Sequence, residues 1–208
     1  MTSTKKYRLT GDDLMLTLDN WDSLMNFNTR LIACDGTAMT LLNIKDSTKD
    51  IDFVVPVENE YKRLMKFLKQ IGYHDAGGGL QHPDDPNFIY QFWSGNQVFT
   101  TSLLDPVLDQ GKHIVVKKWR YIYLGAINLM DLIITKMFRG TSVDISDSIA
   151  VFMTGEIDAE QLLVRYRKAA QYDLNPDKVM KNFTYFIDKL FEKQLVADEF
   201  LKKVKSCL

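Results

Sequence analysis

The chain of 208 residues is 46% hydrophobic and 25% charged, with a net charge of −1. This composition is that of neither a disordered protein nor a membrane protein, and the length allows one domain, or a core domain with a small helical appendage. No apolar run approaches the ~20 residues of a membrane-spanning helix, and the N-terminus lacks the apolar segment of a signal peptide. Because Cys34 and Cys207 form no disulfide framework, we expect a cytoplasmic protein without a membrane partner.

The charged residues are unevenly distributed along the chain. Residues 12–60 contain ten acidic and three basic side chains, whereas residues 112–139 contain six basic side chains and one acidic side chain. A molecule polarised in this way could bind a metal ion through one surface and a polyanion through the other. An equally good interpretation is that both blocks are solvated surfaces.

The first seventy residues alternate between helical and strand patterns. Residues 11–26 place apolar side chains at helical spacing, after a Thr-x-x-Asp capping signal. A short strand is predicted at 30–34, a short helix at 37–44, a strand at 50–57 and a second amphipathic helix at 58–71. This order predicts a mixed α/β fold, with helices flanking the sheet.

The middle of the chain contains one long loop and three β-rich segments. Residues 74–87 include three glycines and two prolines, and they are expected to form either a mobile lid over substrate or, more often in such loops, a disordered surface connection. Strand patterns follow at 88–93, 97–104 and 113–124.

From residue 125 onward the pattern is helical. Helices are predicted at 127–138 and 142–153, and two longer helices follow, the last beginning at Asn175–Pro176. We therefore expect an α/β core over residues 1–125 and a C-terminal helical region over residues 126–208, packed as one unit.

The segment "DID" places two carboxylates at the start of a predicted buried strand. Residues two apart in a strand face the same side, so Asp50 and Asp52 would project together, roughly 6–7 Å apart at Cα. At ~6 Å two charges repel by about 0.7 kcal/mol in water and about 3 kcal/mol at an effective dielectric constant near 20. A hard divalent cation would relieve this repulsion. The alternative is that both aspartates lie on a solvated edge.

A Gly-Thr turn precedes the acid pair by fourteen residues. Gly36 and Thr37 lie where a strand is predicted to give way to a helix, and backbone N–H groups at such a junction can receive a phosphate. The alternative is an ordinary glycine turn. The turn and the acid pair together are more specific than either alone.

Residues 34–55 resemble the opening signature of the nucleotidyltransferase superfamily with the polymerase-β-like fold. The form "GTAMTLL…STKDIDFVV" is most similar to the abortive-infection (AbiEii-type) nucleotidyltransferase toxins. The later segment "INLMDLIITKMFRGTSVDISDSIAVF" also resembles that group, which has a lysine, an arginine and a D-x-x-D pair in this order. Here these residues are Lys136, Arg139, Asp144 and Asp147. The likeness spans about residues 30–155.

The resemblance implies a nucleotidyltransferase-like fold and roles for particular residues. Asp50, Asp52 and Lys136 would be catalytic, and the two aspartates would hold Mg²⁺ or Mn²⁺. A nucleoside triphosphate would contact Gly36, Thr37, Thr48, Lys136, Arg139, Asp144 and Asp147. Without the resemblance, Lys136 would be interpreted as a solvated helix lysine and the later aspartates as helix caps.

Many members of the superfamily place a third carboxylate in a later strand. We expect that strand to be "QVFTTSLLD", where Asp105, at the end, is the candidate metal ligand and Ser102 occupies the middle. A missing general base would lower the rate by about 10²–10⁴-fold.

The sequence therefore favours a Mg²⁺-dependent nucleotidyltransferase that moves a nucleoside monophosphate from a triphosphate to an RNA or protein acceptor. It would be a toxin–antitoxin or phage-defence component with a cognate antitoxin as partner. RNA is suggested by Trp119, Tyr121 and Tyr123 among the basic residues, although aromatic residues in a β-rich segment more often belong to the core. The alternative is an inactive protein of the same fold that binds a nucleotide or a partner protein. A D-x-D glycosyltransferase is disfavoured because the expected earlier strand–helix units are missing.

Overall fold

A computed structural model describes residues 7–206. The described strands are β1 (Leu9–Thr10), β2 (Thr29–Ala33), β3 (Ser47–Thr48), β4 (Ile51–Val55), β5 (His74–Ala76), β6 (Gly79–Gln81), β7 (Tyr90–Ser94), β8 (Gln97–Val98), β9 (Thr101–Ser102), β10 (His113–Lys118) and β11 (Ile122–Ile127). The described helices are α1 (Gly11–Leu24), α2 (Asp35–Leu41), α3 (Glu58–Gln70), α4 (Leu129–Arg139), α5 (Ser142–Phe152), α6 (Ala159–Ala170), α7 (Pro176–Glu192) and α8 (Asp198–Lys205).

These elements form two compact units. The first contains residues 7–99 and 105–127, and the second contains residues 100–104 and 128–206. The predicted mixed α/β fold class is confirmed: a mixed sheet with three helices is followed by a helical region. No helix among residues 7–206 is long and apolar enough to cross a membrane. Cys207 lies outside the described residues.

The first unit is built on a seven-stranded sheet in the order β10–β11–β2–β4–β7–β6–β5. The β11–β2 and β4–β7 pairs are parallel, and the other pairs are antiparallel. Every residue of β4 is buried, which explains its almost uninterrupted apolar sequence. The strand that follows Asp50 is therefore near the centre of the sheet.

One face of the sheet is covered by α1. Trp21 of this helix contacts the rings of Tyr90 and Phe92, and Phe92 stacks on Phe53 with a centroid separation of 6.0 Å. Since side chains alternate along a strand, Asp52 projects from the opposite face. The helix begins with the predicted capping box, in which Thr10 and Asp13 exchange hydrogen bonds.

The prediction for residues 74–87 was wrong in part, because this segment contains a β-hairpin. Strands β5 and β6 pair in antiparallel fashion around Gly77 and Gly78, with φ of 54° and 83°. Positive φ at both central positions is the geometry of the tight hairpin turn that glycine favours. The hairpin forms one edge of the sheet.

The predicted continuous strand at 97–104 was also wrong. Two two-residue strands, β8 and β9, occupy it, and Phe99 between them has a φ of 52°. A left-handed backbone at a bulky aromatic residue interrupts an extended strand. This segment therefore provides no long central strand.

The second unit contains helices α4 to α8. Asn128 caps α4, which ends at Gly140 in the left-handed conformation with a φ of 68°. Asn182 of α7 donates a hydrogen bond to the Met137 carbonyl at 2.9 Å and leaves no room for a Cβ at position 140. After residue 153 the described chain forms three helices, where the sequence predicted two; the short helix α8 is the addition.

Candidate functional site

The two aspartates of the D-x-D segment differ in environment. Asp52 lies in β4 and is 2% exposed, whereas Asp50 immediately precedes the strand and is exposed. One carboxylate is therefore within the protein and the other faces solvent. The alternative prediction, that both aspartates lie on a solvated edge, is therefore wrong for Asp52.

Thr37 ties the N-terminal turn of α2 to the acid pair. Its hydroxyl donates a hydrogen bond to the Asp50 carbonyl at 3.1 Å and accepts one from the Asp52 backbone N–H at 2.9 Å. The side chain of Thr37 is fully buried. Its hydroxyl thus bridges the backbone at both aspartates and fixes the segment that presents them.

Thr48, two residues before Asp50, contacts the same carbonyl. Its hydroxyl donates to the Asp50 carbonyl at 2.8 Å, and the residue is buried. A Cβ at Gly36 would lie 2.7 Å from the hydroxyl oxygen of Thr48, so a side chain there would displace it. Gly36 is therefore required by a close approach, and the Gly-Thr turn, Thr48 and the acid pair form one hydrogen-bonded assembly.

The strand that lies beside the acid strand is β7. It runs parallel to β4 and places Gln91 in register with Asp52. Gln91 could not be identified from the sequence, because a local pattern does not show which strands pair; the alternating segment "YQFW" is its only signal. The predicted third strand, at 97–105, has no place in the seven-stranded sheet.

Asp105, the candidate third metal ligand, forms an ion pair with Lys112 at 2.8 Å. Its carbonyl accepts a hydrogen bond from Asn96, which holds the loop before β10. Among residues 7–206, no group of three or more His, Cys, Asp or Glu side chains is arranged to hold a metal ion. The donor set that remains at the acid strand is the pair of carboxylates, a chemistry that suits one hard divalent cation.

In the second unit, Lys136 is buried between helices α4 and α5. It is 1% exposed, and its Nζ lies 2.9 Å from the Asp147 carboxylate and 3.9 Å from that of Asp144. The structure therefore excludes the interpretation of Lys136 as a solvated helix lysine. Instead, a buried cation joins the two helices.

Asp144 also contacts Arg139 and Thr141 in the same unit. It forms an ion pair with Arg139 and a capping box with Thr141 at the start of α5. Burial acts to raise the pKa of Asp144, but the hydrogen bonds from Arg139 and Thr141 and the charge of Arg139 outweigh burial and lower this pKa. The capping interpretation of Asp144 describes its position correctly.

The β10–β11 hairpin presents cations stacked on its own aromatic rings. Lys117 lies 4.3 Å from the ring centroid of Trp119, Arg120 lies 5.0 Å from that of Tyr121, and Lys118 lies 5.3 Å from that of Tyr123. All three cations are exposed, and the rings are partly exposed. Such a surface combines positive charge with planar groups.

Comparison with known proteins gives little further guidance. No protein-family model matches the chain, and no curated protein matches its sequence. Among solved structures, the solution structure of the antibiotic-resistance factor ANT(2'')-Ia matches over 74% of this chain and 88% of that chain, at 12% sequence identity and a TM-score of 0.46. We draw no conclusion on function from a match of this strength.

Proposed function

We propose that the protein is a Mg²⁺- or Mn²⁺-dependent nucleotidyltransferase that moves a nucleoside monophosphate from a nucleoside triphosphate to an acceptor. The supporting observation is the assembly at the acid strand, in which Thr37 and Thr48 hold the backbone of Asp50 and Asp52. Buried hydroxyls that fix the backbone at two neighbouring aspartates support the defined placement that a metal–phosphate site requires.

In the proposed reaction, an acceptor hydroxyl oxygen attacks the α-phosphorus in line, and a new P–O bond forms. The bond to the β-phosphate breaks, pyrophosphate leaves with the electron pair, and the hydroxyl proton passes to solvent. Asp50 and Asp52 would hold the divalent ion, which supplies charge neutralisation and orientation of the phosphates when bound. Gly36, Thr37 and Thr48 would shape the nucleotide site through the backbone turn that they stabilise.

We propose, from the resemblance alone, nucleotide-binding roles for Lys136, Arg139, Asp144 and Asp147. Within the helical unit these residues pair with one another, and Lys136 is buried, so their ion pairs by themselves support a structural role in joining α4 and α5.

For the acceptor, we propose an RNA. The exposed cations and rings of the β10–β11 hairpin support this choice, because bases stack on aromatic groups beside positive charge. A protein acceptor is the alternative, and the label-transfer experiment below distinguishes the two. A role in toxin–antitoxin or phage-defence systems, with an antitoxin partner, is part of the same proposal and depends on the resemblance alone.

Transfer of label from each α-³²P nucleoside triphosphate to total small RNA, and to the protein itself, tests this function. We expect label on RNA with the wild-type chain and none with Asp50→Ala/Asp52→Ala. Asp75→Ala, at an exposed carboxylate paired with Lys69, is the matched control and should retain activity. Label on the protein alone would reject the RNA acceptor, and equal labelling by wild type and the double variant would reject the site.

A second candidate function is an inactive protein of this fold that binds a nucleotide or a partner. One observation favours it: the acid strand and its parallel neighbour supply two carboxylates and a glutamine, and no larger metal-binding group exists among residues 7–206. Nucleotide binding without transfer to any acceptor would select this candidate.

A further inference from the structure

The position beside Asp52 on the neighbouring parallel strand is occupied by a neutral side chain. Gln91 and Asp52 are in register between β7 and β4, and paired residues in neighbouring strands project from the same face. Neighbouring strands lie about 4.8 Å apart. A side chain at position 91 is therefore the nearest one on this side of the acid strand that could add a third ligand.

Gln91 extends over the hairpin. Its Cγ lies 3.1 Å from the position that a Cβ would take at Gly79, and its Nε2 lies 3.9 Å from that position at Gly78. These two glycines belong to the β5–β6 hairpin, on the side of β7 that is away from β4. Because Gly78 and Gly79 have no side chains, the Gln91 side chain can lie over the hairpin, on the side of β7 that is away from Asp52.

The number of carboxylates limits how many divalent ions a site can hold. Two ions at the usual separation of about 3.5–4 Å are normally bridged and flanked by several oxygen anions. A pair of carboxylates can coordinate one ion and leave its remaining positions to phosphate oxygens and water. Since an amide carries no charge, Gln91 cannot replace a bridging carboxylate.

From this geometry we infer that the acid strand holds a single divalent cation for each bound nucleotide, and that the neutral residue at position 91 is what limits the site to one. The inference rests on the proposed function and deepens it. Asp50 and Asp52 coordinate the ion that accompanies the triphosphate, and Gln91, which is uncharged and extends over the hairpin, leaves a second ion without a ligand.

The test counts Mn²⁺ bound for each bound nucleotide by equilibrium dialysis, using α,β-methylene analogues of the four nucleoside triphosphates, which cannot be cleaved at the reacting bond. We expect one Mn²⁺ for each nucleotide in the wild-type chain and in Gln91→Asn. We expect two in Gln91→Asp, whose short carboxylate lies beside Asp52 and cannot extend over the hairpin. Gln91→Asn is the matched control because it changes length without adding charge.

The outcomes distinguish a failure of this inference from a failure of the proposed function. Two Mn²⁺ ions for each nucleotide in the wild-type chain would overturn the inference and leave the proposed function standing. A single ion in Gln91→Asp with an unchanged thermal transition would also overturn it. If the wild-type chain binds no nucleotide with Mn²⁺, the proposed function itself fails. Should Gln91→Asp not fold, the counts for wild type and Gln91→Asn still decide the number of ions.

Discussion

The hydroxyl of Thr37 accepts a hydrogen bond from the backbone N–H of Asp52 at 2.9 Å, while it donates to the carbonyl of Asp50 at 3.1 Å. One buried side chain from a short helix therefore holds the backbone on both sides of Ile51. This arrangement fixes the backbone of an exposed aspartate and a buried one at the start of a central strand.

Replacing Thr37 by valine should weaken both folding and metal–nucleotide binding. The substitution keeps the volume but leaves the buried Asp52 N–H without its acceptor, which costs about 1–3 kcal/mol. Urea unfolding and Mn²⁺–nucleotide affinity measure the two effects. Thr37→Ser keeps the hydroxyl and should lose much less. Equal behaviour of the two variants would show that the hydroxyl does not organise the acid pair.

Gly36→Ala should destabilise the protein through Thr48. The new Cβ would lie 2.7 Å from the Thr48 hydroxyl oxygen, and such overpacking costs about 1–3 kcal/mol. In a Thr48→Ala background the cost of Gly36→Ala should fall, which a double-mutant cycle in urea measures. Gly11→Ala is the control, because its Cβ would meet an ordinary contact at 3.6 Å. Additive effects of the substitutions at positions 36 and 48 would contradict the proposed clash.

Lys136→Met should destabilise the helical unit by about 3–5 kcal/mol, because the substitution leaves buried carboxylate charge without its cation. Lys202→Met removes an exposed ion pair with Asp198 and should change stability by less than about 1 kcal/mol. Denaturant unfolding compares the two. A small effect at Lys136 would mean that the buried ion pair with Asp147 does not stabilise this unit.

Asp144 should make the stability of the helical unit depend on acidity. Its pKa in the folded protein is lowered, since the hydrogen bonds and charge of Arg139 outweigh the opposing effect of burial. The ionised form is therefore favoured by folding, and this contribution is fully present above the unfolded value near 3.9. It is lost as the pH falls through the lower folded value.

The stability difference between the wild-type chain and Asp144→Asn tests this dependence. It should be about 1–3 kcal/mol at pH 7 and should shrink as the pH is lowered below about 4. Urea unfolding at several pH values provides the measurement. A difference that stays constant from pH 7 to pH 3 would show that the ionised carboxylate is not what stabilises the start of α5.

The sequence was sufficient to predict the α/β order, the helices with strong caps and the position of Asp52 in a buried strand, whereas Asp50 lies just before that strand and is exposed. These features depend on local spacing, such as Thr10 before α1 and the apolar run that follows Asp50. The hairpin at Gly77–Gly78 was predicted as a loop because its glycines and prolines suggested disorder, whereas tight-turn geometry requires glycine there. Phe99 interrupts a strand through a backbone angle that its residue type disfavours.

The roles at the candidate site depend on contacts that are distant in sequence. Gln91 is beside Asp52 only because β7 pairs with β4, across a helix and a hairpin. Thr37 reaches the Asp50 carbonyl from thirteen residues away and shares it with the nearby Thr48, which a T-x-D signature cannot reveal. The burial of Lys136 likewise depends on the packing of α5 against α4. Residue spacing identified the candidate groups, and tertiary pairing determined what each one contacts.

The measurement that tests the central claim most directly is binding of fluorescent nucleoside triphosphates with and without Mg²⁺, compared between the wild-type chain, Asp52→Asn and the exposed control Asp75→Asn. If the acid pair is a metal–nucleotide site, wild type and Asp75→Asn should bind in Mg²⁺ and lose at least tenfold in affinity with a chelator. Asp52→Asn should then bind weakly in both conditions. A nucleotide affinity that does not change with Mg²⁺, or that is the same in Asp52→Asn as in the wild-type chain, would contradict the assignment of Asp50 and Asp52 as the functional pair.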